Sequence, residues 1–313
     1  VAVIPAHYDW LENFQSGLAV AEMNGKSGYI DKSGSVQIPF VYDEAEAFVE
    51  GFAVVKIKSA YGVINRNGKL MIPAIYQEIN DFSEGMAVVK KGDKYGFFDS
   101  KGKQVLEFKY SYLGDFKEGL ALFITDQKYG FLNKKGTVEI PAKYDWAESF
   151  EQGIAKVQLG DYYGLIGKNG QTILSCEYDR IDAFVNGFAP VVKDEKLGFI
   201  NDSGRICIPI IYEYYSTGQA LDYFQNGKVK LQLKGKKGII SQMNKVIAPF
   251  EFEEISYPKH GYYAAAKKSK WALLDSNLKI VLAYRYQYLY PPDQDLIRAK
   301  LKNKMGLIRL NGD

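Results

Sequence analysis

The stretch YGFLNKKGTVEIPAKYD at residues 129–145 contains the pattern on which the whole chain is built. An aromatic-Gly-Phe-Leu run leads into an Asn-Lys-Lys-Gly turn, which is followed by Val-x-Ile-Pro-x-x-Tyr-Asp. The pattern returns every 34 residues, as three glycine ladders show: Gly28, Gly62, Gly96, Gly130, Gly164 and Gly198; Gly17, Gly51, Gly85, Gly119, Gly153 and Gly187; Gly34, Gly68, Gly102, Gly136, Gly170 and Gly204. After Gly198 the step is 40 residues to Gly238, then 34 again to Ala272 and Gly306. The chain is therefore a tandem array of about nine units.

Each unit predicts β-strands. Short Val, Ile, Tyr and Phe runs are bounded by Gly, Asn and Asp clusters, and no segment keeps a helical period over ten residues. In Asp31-Lys-Ser-Gly34 and its equivalents, the Asp or Asn opens a type I turn and the Gly closes it at positive φ. We therefore predict an all-β fold of nine antiparallel hairpin or meander repeats of about 34 residues.

Two parts of the unit are less regular. The proline position, for example Pro39 or Pro73, either ends a strand or marks an edge strand, because proline cannot donate to a ladder. Beyond it, Tyr-Asp-x-Ala-x-x-Phe has an apolar step of three residues, which predicts a short 3₁₀ turn or a bulged fourth strand.

The two ends of the chain bear on its overall form. If residues 1–5 pair with the last strand, 305–310, the array closes into a propeller-like ring without exposed edges. The alternative is an open superhelical β-solenoid. It is favoured by the short repeat and by drift near the C-terminus, where Asn244 replaces a turn glycine and Pro258 and Pro292 replace the phenylalanine.

The pattern resembles the bacterial WG-repeat family (WG/KWG-containing β repeats), and 129–145 matches it almost position for position. Four units carry Tyr before the Gly, at Tyr61, Tyr95, Tyr129 and Tyr163, and Trp271 alone supplies the tryptophan. The resemblance covers the whole chain and supports the repeat fold. It implies a family that is often exported and has no single assigned activity or catalytic residues.

Composition bounds the remaining properties. The 313 residues predict one repeat domain, 1–313, with regular repeats over 1–212, an insertion at 213–223 and divergent basic repeats over 224–313. From 225 to 313 there are 17 Lys and Arg against 7 Asp and Glu, a net charge of 17 − 7 = +10. Cys176 and Cys207 fall three residues apart on equivalent strands, too far for a disulfide, and are predicted to be buried apolar residues.

No run reaches the roughly 18 apolar residues of a membrane helix, so no transmembrane segment is predicted. The chain does not start with Met, which is weakly indicative of a removed leader. This favours a periplasmic, cell-surface or secreted location.

The sequence offers little chemistry. His7 and His260 lie in non-equivalent positions, no His/Cys cluster has zinc spacing, and no phosphate loop or nucleophile elbow is present. The Asp31 and Asp99 position is interpreted as turn-forming rather than calcium-binding. We predict no enzyme activity, no cofactor and no metal.

Three features exceed what the repeat requires, and they supply the candidate binding residues. The first is the position two after the repeat tyrosine, which tolerates Glu and Arg and is therefore predicted to face solvent. Its aromatic members would stack on a ligand, unless they lean over the neighbouring repeat. The second is the tyrosine-rich insertion, and the third is the basic end. The candidates are Trp10, Tyr112, Trp146, Tyr214, Tyr215, Tyr223, Tyr288, Lys234, Lys236 and Lys237.

The function predicted from these features is a non-catalytic binding or scaffold protein that presents an aromatic-rich surface to a protein or to an anionic or glycan cell-envelope polymer. Nucleic acid is disfavoured, because lysine without arginine suits diffuse attraction better than base or phosphate recognition. The alternatives are a glycan-active enzyme that uses an Asp/Glu pair, and an accessory module of a larger protein.

Overall fold

The computed structural model describes residues 4, 7–214, 224–293 and 295–310. Within these residues there is no helix, and the strands form nine antiparallel sheets, so the predicted all-β repeat fold is confirmed. The chain divides into two compact units, residues 1–176 and 177–313. The single domain with boundaries at 212 and 224 stays a prediction, as do the closed ring and its alternative, the open solenoid.

Each complete sheet is a four-stranded meander. Its first strand has two residues in every complete sheet but one, in which the first strand, Tyr112–Lys117, has six. The five sheets that begin in the first unit consist of β1 (Trp10–Leu11), β2 (Leu18–Met23), β3 (Lys26–Asp31), β4 (Val36–Tyr42); β5 (Glu44–Ala45), β6 (Phe52–Ile57), β7 (Ala60–Asn65), β8 (Leu70–Tyr76); β9 (Glu78–Ile79), β10 (Met86–Lys91), β11 (Lys94–Asp99), β12 (Gln104–Tyr110); β13 (Tyr112–Lys117), β14 (Leu120–Thr125), β15 (Lys128–Asn133), β16 (Val138–Tyr144); β17 (Trp146–Ala147), β18 (Ile154–Leu159), β19 (Tyr162–Gly167), β20 (Thr172–Tyr178).

The sheets of the second unit follow the same plan, and two of them have three strands among the described residues. They consist of β21 (Arg180–Ile181), β22 (Phe188–Lys193), β23 (Lys196–Asn201), β24 (Ile206–Glu213); β25 (Lys228–Leu233), β26 (Lys236–Ser241), β27 (Val246–Phe252); β28 (Glu254–Ile255), β29 (Tyr263–Lys267), β30 (Lys270–Leu274), β31 (Ile280–Tyr286); β32 (Tyr288–Leu289), β33 (Leu296–Leu301), β34 (Lys304–Arg309).

The turn geometry agrees with the sequence prediction at the Asp31 hairpin and defines a second type of turn at Glu50 and Gly51. The Asp31 carboxylate accepts from the amides of Ser33 and Ser35, as predicted for a turn-opening Asp. The turn between β5 and β6 places Glu50 and Gly51 at φ 51° and 87°. Two successive positive φ values define the type I′ turn that suits the twist of a hairpin. The second glycine ladder is therefore a set of type I′ turns.

The structure answers the two questions that the sequence left open, the form of the segment beyond the proline and the place of the proline itself. Glu44 and Ala45 pair with Lys56 and Val55, so the segment beyond the proline is a short strand; the described residues contain no 3₁₀ helix. Pro39 does not end its strand, because β4 continues to Tyr42. It lies on the outer strand of its sheet, as the edge interpretation predicts.

Within each unit, one face of a sheet packs on the opposite face of the next. In the first unit, Val54, Val63 and Ile72 of the second sheet join Ala87 and Val89 of the third in one buried cluster. The Tyr, Phe and Ala positions of the repeat serve this packing. Since each sheet is covered by its neighbour, stability is shared along the array.

The glycine before the Phe-Ile run is required by a close approach of two strands. A Cβ on Gly130 would lie 2.7 Å from both the Ile140 oxygen and the Ala142 nitrogen. The pairing of β15 with β16 shifts register at this point, which brings the backbone of the outer strand over the glycine. Because both close contacts are backbone atoms, a side chain here cannot be relieved by a rotamer change.

Candidate functional site

Apart from Tyr215 and Tyr223, the candidate aromatic residues occupy one position of the repeat, two residues after the repeat tyrosine. This position begins a two-residue strand at Trp10, Trp146 and Tyr288. It begins the six-residue β13 at Tyr112, and Tyr214 directly follows β24. Trp10, Tyr112 and Tyr288 are 62%, 44% and 39% exposed, which confirms that this position faces solvent. Trp146 and Tyr214 are half-buried. Polar residues occupy the same position in other repeats, for example Glu44 and Arg180. The core therefore does not require an aromatic side chain there.

Some of these aromatics also contact the preceding repeat, as the alternative interpretation predicts. The rings of Tyr112 and Tyr95 are 6.0 Å apart, and those of Tyr288 and Trp271 are 4.7 Å apart. Both Tyr112 and Tyr288 stay exposed despite this contact. The two interpretations therefore hold together, since each ring contacts the preceding repeat and still remains exposed to solvent.

Strand register supplies further aromatic residues, which the sequence analysis did not include among the candidates. Tyr163 pairs with Gln158, which pairs with Trp146, and the Tyr163 and Trp146 rings meet edge to face at 6.1 Å. The tyrosine before the glycine thus lies in the same cross-strand row as the exposed position. The residues at this position are half-buried: Tyr61, Tyr95, Tyr129, Tyr163 and Trp271. The two-residue side-chain period of the hairpin could have revealed them.

Charged residues take the place of aromatics in the second and third sheets. The Glu44 carboxylate accepts from the Lys56 ammonium at 2.6 Å, and this ammonium lies 5.3 Å from the Tyr61 ring centroid. Lys90 makes a similar pair with Glu78 at 3.6 Å. In the fifth sheet Lys156 pairs with Glu148 at 3.0 Å and also lies over Trp146, at 5.5 Å from the ring centroid. Along the first unit, the two repeats with Glu at this position therefore lie together, between the repeat with Trp10 and those with Tyr112 and Trp146.

Carboxylates also gather next to this position in the first unit. Partial desolvation raises the pKa of Glu46, and the nearby charges of Asp81, Glu12 and Glu44 add to the rise. Desolvation also raises the pKa of Asp81, and Asp115 adds to it. Among the described residues, no group of His, Cys, Asp or Glu could hold a metal ion.

The basic candidates are partly neutralised. Lys236 lies 3.8 Å from Glu253, and Lys237 is paired with Glu254. Lys234 is exposed and has φ of 50° at a hairpin turn. These three lysines are therefore a weaker local positive charge than the count of basic residues predicts.

The insertion is described only at its start. The Tyr214 hydroxyl accepts from the Arg180 guanidinium at 3.0 Å, which joins equivalent positions of two successive repeats. Tyr215 and Tyr223 lie outside the described residues.

The remaining chemistry-bearing residues have local structural explanations. His260 has φ of 50° and lies in the type I′ turn that precedes β29. Asp99 accepts from the amides of Lys101 and Lys103, which confirms its turn role. Cys176 and Cys207 are free thiols, as predicted, but they are half-buried rather than buried. Each lies on a strand whose alternate residues face solvent. In the described part of the chain, no helix is long and apolar enough to cross a membrane.

A family model described as "WG containing repeat" matches eight times, at residues 2–26, 28–59, 61–95, 95–129, 129–163, 163–196, 238–271 and 271–304. No curated protein gives a significant match. Among solved structures, a eukaryotic initiation factor is 11% identical with a TM-score of 0.40, and the two chains are covered to 96% and 94%. BamB from Moraxella catarrhalis is 11% identical with a TM-score of 0.32 and 96% coverage of both chains. Hsv2p from Kluyveromyces lactis is 10% identical with a TM-score of 0.34, covering 72% of this chain and 89% of that chain. TM-scores in this range do not establish a shared fold.

Proposed function

This chain belongs to the WG-containing repeat family, and from that premise we propose that it is a non-catalytic binding or scaffold protein. At one position of the repeat it presents the exposed side chains of Trp10, Tyr112 and Tyr288, here called the aromatic row, to a protein or to a cell-envelope polymer. The observation that carries the proposal is the exposure of Trp10, Tyr112 and Tyr288 at a position where other repeats have Glu or Arg.

The physical basis is the cost of exposed aromatic surface. Large aromatic rings are enriched where one face must be apolar and accessible, and they dominate binding energies at interfaces. The fold gains little from Trp10, since its side chain is more than half exposed. An exposed ring that the core does not require is therefore best explained by a ligand that stacks on it.

The test is to replace the three exposed aromatics by the residue that the repeat itself uses at this position. Trp10→Glu, Tyr112→Glu and Tyr288→Glu, singly and together, should preserve the fold, because Glu44 occupies the equivalent site. We expect co-sedimentation with insoluble peptidoglycan to fall at least about tenfold in the triple variant, the scale of one or two lost anchors. The measurement is the bound fraction of purified protein.

A matched control is Ile75→Glu, because Ile75 is 62% exposed, as Trp10 is, but lies on an outer strand away from the aromatic row. An equal loss of binding in this control would contradict the proposal. So would unchanged binding in the triple variant.

The same incubation examines the enzymatic alternative. Release of soluble reducing sugar from the polymer, lost in Glu46→Gln or Asp81→Asn, would favour a glycan-active enzyme. These two carboxyls are the candidates because their raised pKa values would suit a general acid.

A further inference from the structure

The second unit contains a cavity of about 550 Å³ between its sheets β25–β27 and β28–β31. Its walls come from the hairpin end of the sheet β25–β27 and from the segment that leads into the sheet β28–β31. Residues that line it include Gln225, Asn226, Lys228, Tyr257, Tyr263 and Ser276. This volume lies in the range of small-molecule sites, which is about 300–1,000 Å³.

The cavity arises from two departures from the repeat that face each other. Between the second and third sheets, Phe52 stacks on Phe82 with ring centroids 4.3 Å apart. Phe188 and Phe224 make the same pair at 5.2 Å. At the equivalent positions of the cavity, the chain has Lys228 and Pro258. Both rings that fill this space at those two junctions are thus missing, and the equivalent depression beside Phe52 is smaller, about 300 Å³.

A third departure gives the cavity an aromatic wall. Tyr263 occupies the strand position that Ala53 and Ala87 hold in the regular repeats, and it is 3% exposed. Tyr257 adds a second ring, whose hydroxyl accepts from the backbone amide of Lys230 at 3.0 Å. The Lys230 ammonium lies 5.7 Å from the Tyr257 ring centroid, on the strand that also carries Lys228. Two tyrosines are therefore held in place at one side of the cavity.

Lys228 is the cation among the lining residues, and it has no carboxylate partner within 4 Å in the described part of the chain. Gln225, Asn226 and Ser276 add amide and hydroxyl groups that can both donate and accept hydrogen bonds. The half-buried Tyr257 ring suits the apolar face of a sugar ring, and the buried Tyr263 supports the cavity wall. The amides suit the hydroxyls of a sugar, and a single ammonium suits one carboxylate. A polyphosphate would call for more than one cation.

We propose that this cavity binds an acidic sugar, a pyranose ring that carries a carboxylate, with Lys228 as its charge partner. This inference does not rest on the aromatic row of the proposed function, since none of the residues in that row lines the cavity.

The experiment titrates the full chain with trigalacturonic acid by isothermal calorimetry, with neutral maltotriose as the control sugar. Wild type is expected to bind the acidic trisaccharide at least tenfold more tightly than maltotriose. Lys228→Ala should weaken binding of the acidic sugar at least tenfold and leave the affinity for maltotriose unchanged. The affinity of Lys228→Arg for the acidic sugar should stay within about threefold of wild type.

Lys228→Phe restores the ring that Phe188 supplies in its own sheet and should abolish binding of both sugars. Its folding is checked by its melting temperature. Equal affinity of wild type for the two trisaccharides, no binding of trigalacturonic acid, or unchanged binding in Lys228→Ala would each overturn the proposal. The Trp10→Glu, Tyr112→Glu, Tyr288→Glu triple variant should bind trigalacturonic acid as wild type does, so loss of the polymer interaction and loss of the sugar site are distinguishable.

Discussion

Two equivalent places in the array differ sharply: the junction between the second and third sheets, and the junction between β25–β27 and β28–β31. In the first, Phe82 is 4% exposed and stacks on Phe52. In the second, Pro258 and Lys228 stand at the same positions beside a cavity of about 550 Å³. The sheets on both sides keep the same strand order and register. A repeat fold therefore tolerates the loss of a core ring where the hairpin network holds the sheets.

The largest expected effect on stability comes from removing the Phe82 ring at the junction between the second and third sheets. Phe82→Ala should lower the free energy of unfolding by about 3 kcal/mol, because a buried ring is replaced by a void. Pro258→Ala should cost about 1 kcal/mol or less, since no packed ring is lost there. Urea denaturation followed by circular dichroism measures the free energy of unfolding of both variants. Equal losses would contradict the difference between the two junctions.

A smaller effect is expected at the glycine that the outer strand crosses. Gly130→Ala should destabilise by about 2 kcal/mol, because its Cβ would lie 2.7 Å from two backbone atoms. In the divergent region the same position is Ala272, which is fully buried. Ala272→Gly is the matched control and should cost about 1 kcal/mol through chain entropy. Thermal melts of the two variants provide the measurement; a neutral Gly130→Ala would mean that the outer strand can move away.

The smallest effect concerns a carboxylate ladder confined to the regular repeats. Glu50 accepts from the Gly85 amide, Glu84 from the Gly119 amide and Glu118 from the Gly153 amide, each in the next repeat. Partial burial raises the pKa of Glu84, but its bonds with Lys134 and Gly119 outweigh burial and hold the pKa below its usual value. The ionised carboxylate therefore stabilises the folded state.

Glu84→Gln should lower stability at pH 7 by about 1 kcal/mol, the scale of one net hydrogen bond. Because the folded pKa is lowered, this contribution is present above about pH 4.5 and disappears as the pH falls through the folded pKa. Melting temperatures of wild type and variant should converge once the pH falls below the folded pKa of Glu84. Glu107→Gln, at an exposed site, is the control, and a difference that persists in acid would exclude the ionic explanation.

Several local features could be predicted from the sequence because they depend on neighbouring residues alone. The Asp31 turn, the solvent-facing short-strand position and the absence of a disulfide follow from residue type and spacing. The structure at Pro39 was harder to predict. A strand can continue through proline only at an outer edge, and only the assembled sheet shows where that edge lies. Trp146 was predicted exposed and is half-buried, because Tyr163 and Lys156 reach it across the hairpin.

The cavity shows most clearly what could not be predicted from the sequence alone. The replacement of phenylalanine by Pro258 is visible in the sequence, but its consequence depends on Lys228 in the preceding repeat, which lies 30 residues earlier. Nothing in a single repeat unit indicates that these two positions face each other. The 34-residue period by itself determined the strands, the turns and the all-β repeat architecture, because each depends on local backbone preference and the alternation of side chains. Only the tertiary structure decided which surfaces stay open, because whether a space between sheets is filled depends on side chains contributed by two different repeats.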